Sequence, residues 1–147
     1  ISSDVNQYTG YSVRKYHPRA GYSSTVGTEA LNYKNNYRVI RFSDILLMAS
    51  EALLRSGGSV GEAQDYYARV VKRAMGDDYK VPTVSLDNIY KERRYEFAME
   101  GIRYWDLVRT NQAKDFIKGW DDTKKYLPIP QSEIDKSDGH LVQNPHF

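Results

Sequence analysis

Residues 90–109, YKERRYEFAMEGIRYWDLVR, have the spacing of a helix but carry charges inside their own apolar stripe. On a helical wheel at about 100° per residue, charged side chains fall on the same side as Ile89, Phe97 and Leu107. A buried charge without a partner costs on the order of several kcal/mol. The chain can therefore bury this stripe only if the charges neutralise one another.

The charged side chains of this stripe follow one another at three or four positions, which places opposite charges side by side along a helix. Arg93 is expected to pair with Glu96, and Glu100 with Arg103. We interpret the whole series as a structural ion-pair network formed by Arg93, Glu96, Glu100, Arg103, Asp106 and Arg109.

Two alternatives stay open for these charges. They can form a solvated helix face, or Glu96 and Glu100 can be the carboxylate pair of a glycoside hydrolase, which needs two carboxyl groups about 5 to 10 Å apart. Arginines at close range lower the pKa of a carboxyl group, whereas a general acid needs it raised. The sequence therefore favours the structural network and predicts no catalytic residue.

Gly101 interrupts the stripe, either as a packing glycine or as a bend. We expect a bend, followed by a second short helix over Ile102–Arg109.

Further upstream, the residues after Tyr37 change from irregular to helical spacing. A first helix from Phe42 has an apolar stripe, with Ser43 placed to cap it and Gly57-Gly58 to end it. This stripe consists of Phe42, Ile45, Leu46, Ala49, Ala52 and Leu53.

A second helix is predicted from about Val60, because Ser59 and Glu62 have the spacing of a capping box. Gly76 is placed to end it. Its stripe consists of Ala63, Tyr66, Tyr67, Val70, Val71 and Ala74. A linker this short predicts an antiparallel helical hairpin, the unit from which helical-repeat proteins are stacked.

The two ends of the chain lack sustained helical spacing. Residues 1–36 are rich in Ser, Thr, Asn, Gly and Tyr and are expected to be irregular. The segment Tyr126–Pro130, with prolines two positions apart, predicts an extended ribbon, followed by one helical turn at Ser132–Ile134.

Composition excludes several functional classes. Lys and Arg number 21 against 19 Asp and Glu, so no strong positive field points to nucleic acid. There is no cysteine, and His17, His140 and His146 lack the spacing of metal ligands. No nucleotide-binding or nucleophile motif occurs, so we expect no cofactor and no metal.

Tyrosine is abundant, with 13 copies against 4 phenylalanines. Aromatic rings of this kind pack into half-buried surfaces and also stack on sugar rings. Tyr22, Tyr33 and Trp120 are the candidates for ligand contact, with packing as the alternative for each.

Four ordered stretches resemble the C-terminal part of the SusD/RagB-type outer-membrane lipoproteins. These stretches are YRVIRFSDILLMASEALLRSGG, IYKERRYEFAMEGIRYWDLVR, YLPIPQSEID and LVQNPHF. The resemblance covers residues 37–147. It implies an all-α protein of tetratricopeptide-like hairpins, with long irregular loops and an extended C-terminal tail.

The resemblance also implies a function. Such proteins bind glycans at the cell surface without catalysing a reaction, and they deliver the glycans to a TonB-dependent (SusC-like) transporter. They are held in the outer membrane by a lipidated cysteine, expected upstream of Ile1. Residues 1–36 would then dock on the N-terminal part of the same protein. The alternatives are a peptide-binding member of the family and a helical-repeat scaffold for protein partners.

Overall fold

The structure is a computed structural model that describes residues 13–16, 21, 34 and 36–147. The chain divides into two compact units, residues 1–99 and residues 100–147. Every regular element in the described part of the chain is a helix, which confirms the all-α prediction. The predicted docking of residues 1–36 concerns mostly residues outside the described ranges and stays a prediction.

The first unit contains the predicted helical hairpin. Helix α1 spans Phe42–Ser56 and helix α2 spans Val60–Met75. Gly57 ends α1 in the left-handed region, with φ of 71°, and the Gly58 amide donates to the carbonyl of Leu53 at 2.8 Å. Ser59 caps α2 by accepting from the Glu62 amide at 3.2 Å. The predicted end of α1 at Gly57-Gly58 and the predicted cap of α2 at Ser59 are confirmed.

Helix α1 buries a different face from the one predicted. Phe42 and Ile45 are exposed, at 64% and 45% of their surface, so their place in the apolar stripe was wrong. The buried face is rotated by one residue and includes polar side chains: Ser43, Leu46, Leu47, Ser50 and Glu51. This rotation brings the Ser50 hydroxyl to the carbonyl of Ala63, to which it donates at 2.7 Å. The contact between α1 and α2 therefore includes a hydrogen bond, at a point where the apolar spacing of α1 predicted hydrophobic packing.

The capping role predicted for Ser43 was also wrong. Helix α1 begins after Arg41, no side chain caps it, and Ser43 lies buried within its first turn. In contrast, the stripe of α2 is largely as predicted, with four of its members buried: Ala63, Tyr67, Val70 and Val71.

Helix α3 spans Leu86–Glu96 and is capped by Ser85, which accepts from the Asn88 amide at 3.1 Å. The loop before it is held to α2 by the side-chain amide of Gln64. This amide donates to the Pro82 carbonyl at 3.2 Å and accepts from the Val84 amide at 2.7 Å. The interior of the unit includes three fully buried side chains, one from each helix: Leu47, Val70 and Ile89.

The helical spacing of residues 90–109 is interrupted, as expected from Gly101. Helix α3 ends at Glu96, and helix α4 spans Arg103–Arg109. Gly101 has φ of 79° and Met99 has φ of 67°, so the chain leaves helical geometry between the two helices. The predicted bend is confirmed, with the second helix beginning one residue later than expected.

In the second unit, α4 is followed by short elements. These are α5 at Ala113–Phe116, a 3-10 turn at Asp122–Lys125 and α6 at Gln131–Lys136. The segment between the 3-10 turn and α6 is extended at Tyr126 and Pro130. The predicted ribbon and the helical turn after it are confirmed.

The C-terminal residues Gln143 and Asn144 hold this ribbon through its backbone. The Gln143 side chain accepts from the Ile129 amide at 2.8 Å and donates to the Ile129 carbonyl at 2.9 Å. Asn144 donates to the Leu127 carbonyl at 2.6 Å. A side-chain amide can pair in this way because it carries a donor and an acceptor like those of the backbone. The two sequence motifs YLPIP and QNP are thus parts of one clamp.

We expect Gly57→Ala to destabilise the protein by roughly 1 kcal/mol, because an added Cβ disfavours the left-handed backbone. Gly61→Ala is the matched control, since Gly61 lies inside α2 and its Cβ would meet its nearest neighbour, the Ser59 hydroxyl, at 3.8 Å. That variant should stabilise by up to about 1 kcal/mol. Urea unfolding of both variants measures the two changes, and an equal loss in both would contradict the assignment of the hairpin turn.

We expect Gln143→Ala to speed hydrogen exchange at the Ile129 amide by at least about tenfold, because this amide loses its acceptor. Gln131→Ala serves as the control, since the Gln131 side chain donates to Asp135 at 2.7 Å and lies on the surface of α6. Unchanged protection of Ile129 in Gln143→Ala would show that the clamp does not hold the ribbon.

Candidate functional site

The residues predicted to contact ligand are only partly described. Tyr22 and Tyr33 lie outside the described residues. Trp120 is half-buried in the second unit, just before the 3-10 turn. Among the charged residues, Arg93, Glu96 and Asp106 are buried, so these three do not lie on a solvated helix face.

Glu96, the last residue of α3, is held by two arginines from other parts of the first unit. Arg41 Nη1 lies 2.7 Å from Glu96 Oε1, and Arg73 Nη2 lies 2.5 Å from Oε2. The glutamate side chain is only 5% exposed, whereas that of Arg73 is 61% exposed. One buried carboxylate therefore joins the end of α3 to α2 and to the residue that precedes α1.

The backbone carbonyl of Glu96 receives two cations as well. Lys15 Nζ donates to it at 2.5 Å and Arg41 Nη2 at 2.9 Å. The C-terminal end of a helix carries partial negative charge and unsatisfied carbonyl groups. Positive side chains at this position complete the helix end, so Lys15 ties the segment of residues 13–16 to the helical core.

Arg93 is paired across the unit with Asp44 of α1, at 2.6 Å between Nη1 and Oδ1. The guanidinium groups of Arg93 and Arg41 both lie over the ring of buried Phe97, at 5.1 and 4.9 Å from its centroid. Such cation–π contacts add attraction to the ion pairs. The network thus includes contacts between helices, in addition to the neighbours along one helix that the sequence suggested.

The remaining predicted pairs differ in outcome. In α4, Arg109 Nε donates to Asp106 Oδ1 at 2.8 Å, three residues apart. The Arg93–Glu96 and Glu100–Arg103 pairs stay predictions. Sequence reasoning missed Lys15, Arg41, Asp44 and Arg73 as partners, because each is distant in sequence from the residue that it neutralises.

The electrostatic environment of Glu96 is the reverse of that of a general acid. Burial acts to raise its pKa, but the hydrogen bond from Arg41 and the charges of Arg73 and Arg41 outweigh burial and lower the pKa below its usual value. Glu92, one turn earlier, has a raised pKa because it is partly buried and faces the charge of Glu96. A carboxylate held ionised by two arginines acts as a structural anion and is poorly suited to proton transfer.

Trp120 lies beside a cavity of about 160 Å³ in the second unit. Its indole Nε1 donates to Asp122 Oδ1 at 3.1 Å, and Tyr104 meets its ring edge to face, with centroids 6.1 Å apart. The Tyr104 hydroxyl donates to the backbone carbonyl of Lys124. The cavity is lined by Val108, Asn111, Ala113, Lys114, Trp120, Asp122 and Lys125. An aromatic face with amide, ammonium and carboxylate groups around it suits a ligand that carries hydroxyl groups.

A larger cavity, of about 360 Å³, opens on the first unit beside the exposed ring of Phe42. The guanidinium of Arg69 lies over that ring, 5.3 Å from its centroid. Two further arginines in its wall, Arg41 and Arg73, already hold Glu96. This cavity therefore adjoins the structural ion-pair network.

Within the described ranges, no cluster of three or more His, Asp or Glu side chains is arranged to hold a metal ion. Across the same residues, none of the helices has the length and apolar character required to cross a bilayer.

Comparison with known proteins connects this chain to one family. The model of the SusD family matches residues 2–119. SusD-like protein P2 of Formosa agariphila is 25% identical over 154 residues, which cover 92% of this chain and 30% of that protein. A SusD-like protein of Bacteroides ovatus is 32% identical over 80 residues, 53% of this chain and 14% of its own length.

Solved structures show the same likeness. Surface glycan-binding protein A from Bacteroides thetaiotaomicron is 44% identical with a TM-score of 0.69, over 81% of this chain and 26% of that chain. Its complex with laminarihexaose is 45% identical with a TM-score of 0.66. A laminarin binding SusD-like protein is 40% identical with a TM-score of 0.77, over 96% of this chain and 30% of that one. The chain thus spans less than a third of the length of each of these proteins.

We expect Glu96→Gln to lower the free energy of unfolding at neutral pH by roughly 1 to 3 kcal/mol, because two arginines lose their anion. The stability that Glu96 contributes should be complete above the unfolded pKa of 4.5 and disappear as the pH falls through the lower folded pKa. Urea unfolding between neutral and acidic pH should therefore show the difference between variant and parent shrinking in acid.

Glu92→Gln is the matched control for this experiment, because the folded pKa of Glu92 is raised. Its contribution to stability is present below the unfolded pKa and lost as the pH rises through the folded one. This variant should be at least as stable as the parent at neutral pH. An equal loss in both variants, independent of pH, would contradict the electrostatic role of Glu96.

Proposed function

The chain belongs to the SusD family, and from this premise we propose that the protein binds glycans at the cell surface and delivers them, chemically unchanged, to a TonB-dependent transporter. In this proposal the protein sits in the outer membrane through a lipidated cysteine upstream of Ile1. The transporter and the lipid anchor are implied by the resemblance to SusD/RagB-type lipoproteins.

One observation carries the glycan-binding part of the proposal. Solved proteins 40 to 45% identical to this chain are a surface glycan-binding protein, also determined with laminarihexaose, and a laminarin binding protein. Identity at this level over 80 to 96% of the chain supports the same class of ligand, a glucan, for the protein of which this chain is part. The glycan contacts would come from the whole protein, since the chain covers at most 30% of these relatives.

The geometry of Glu96 supports capture without hydrolysis. This carboxylate has both oxygens engaged by arginines and a lowered pKa, so it does not resemble the protonated acid that cleaves a glycosidic bond. Binding would instead use aromatic rings that stack on the apolar faces of sugars, with polar side chains that bond the hydroxyl groups. Tyr22 and Tyr33 remain proposed ligand contacts of this kind.

The test uses the full-length protein and laminarihexaose as the probe. Calorimetric titration should give saturable binding, and chromatography of the same mixture after prolonged incubation should recover the hexaose intact. The control is cellohexaose, a glucan of the same length with a different linkage. Release of shorter oligosaccharides would contradict the non-catalytic part of the proposal.

A broader screen decides between ligand classes. A glycan array that shows binding to any oligosaccharide supports the proposal, whether or not laminarihexaose is the preferred ligand. If the protein binds no oligosaccharide on the array but binds members of a peptide library, glycan binding is overturned and the protein is a peptide-binding member of the family. Labelling of intact cells with a membrane-impermeant reagent tests the proposed surface location.

A further inference from the structure

We infer that the second unit contains a carbohydrate subsite of its own, in which one neutral pyranose ring stacks on Trp120 inside the cavity of about 160 Å³. This inference rests on the proposed function, since it assumes that sugars are the ligands of the protein. It adds a site built entirely within residues 108–125, at a distance in sequence from the charged network of the first unit.

The orientation of the Trp120 ring is set by contacts at its edge and side. Its N–H is engaged by Asp122 at 3.1 Å, and the Tyr104 ring approaches it at an interplanar angle of 61°. Tyr104 is itself anchored by its hydroxyl to the Lys124 carbonyl. A ring held in this way offers a pre-positioned apolar face, which reduces the entropy lost when a sugar stacks on it.

The polar groups around the ring are the kind that bond hydroxyl groups. Asn111 and Lys114 line the cavity, and the backbone of Asn111 is held in a left-handed turn with φ of 57°. Asp122 forms an ion pair with Lys125 at 3.2 Å, and the Trp120 hydrogen bond and Lys125 keep the pKa of Asp122 below its usual value. Because Asp122 and Lys125 neutralise each other, the lining carries a single net charge, on Lys114, so hydrogen bonds from the Asn111 amide and the Lys114 ammonium to ligand hydroxyl groups are the main polar contacts that the cavity offers.

The size of the cavity limits the ligand to one ring. Pockets for drug-sized ligands begin at roughly 300 Å³, and this cavity is about half that volume. Val108 and Ala113 supply the aliphatic side chains of the lining. A single sugar residue at the end or in the middle of a longer chain is the ligand that these dimensions favour.

The experiment follows each tryptophan of the full-length protein by fluorine NMR after incorporation of 5-fluorotryptophan. The Trp120 signal is assigned by its loss in Trp120→Phe, and that of Trp105 by its loss in Trp105→Phe. Methyl β-D-glucopyranoside is the probe, titrated into the millimolar range expected for a single sugar. The Trp120 signal should shift saturably, while that of Trp105, which lies outside the cavity lining, should not.

A second variant removes a hydrogen-bonding group without disturbing the backbone. Asn111→Gly keeps the left-handed turn accessible, because glycine adopts positive φ without strain. It should weaken the probe's effect on the Trp120 signal by at least about fivefold, with the fluorine spectrum otherwise unchanged. An Asn111→Gly variant that binds the probe like the parent would overturn the assignment of this subsite.

The outcomes separate this inference from the proposed function. If the full-length protein binds laminarihexaose or another glycan while the Trp120 fluorine signal does not shift, the subsite is overturned. The proposed glycan binding would still be supported. A saturable Trp120 shift that disappears in Asn111→Gly supports the subsite. A shift of both tryptophan signals by the same amount would indicate a general solvent effect and would also overturn it.

Discussion

The first unit depends on the neutralisation of one buried carboxylate. Glu96 lies at the end of α3, where Arg41 and Arg73 hold both of its oxygens and Lys15 binds its carbonyl. A buried carboxylate without these cations would cost several kcal/mol in lost hydration. The three helices of this unit can therefore adopt their arrangement only if Lys15, Arg41 and Arg73 all reach Glu96.

This constraint also bears on function. Carboxylates committed to arginines retain their negative charge and have little capacity to exchange protons with a substrate. In the second unit, Trp120 lines a cavity. The charged side chains of the first unit thus hold the architecture, and ligand contact by aromatic side chains stays part of the proposal.

The C-terminal part shows how a short motif can have a purely structural meaning. Two prolines keep residues 126–130 out of helical geometry and leave backbone groups without helical partners. Gln143 supplies a donor and an acceptor to Ile129, and Asn144 donates to Leu127. Ile129 and Gln143 lie 14 positions apart, so no local sequence pattern predicts the contact between the two motifs.

By itself, the sequence determined most of the helix boundaries, although it placed the cap of α1 wrongly at Ser43. The residues that cap helices or allow a positive φ act on neighbours within four positions of the chain. Helix boundaries at Gly57, Ser59, Ser85 and Gly101 therefore depend on local interactions. Tertiary structure alone decided which face of α1 is buried and which cations meet Glu96. Ser50 is buried and donates to a carbonyl of α2, whereas Phe42 is exposed. Arg41 lies 55 positions from Glu96. Interactions at such separations leave no periodic signal, because their geometry exists only once the chain has folded.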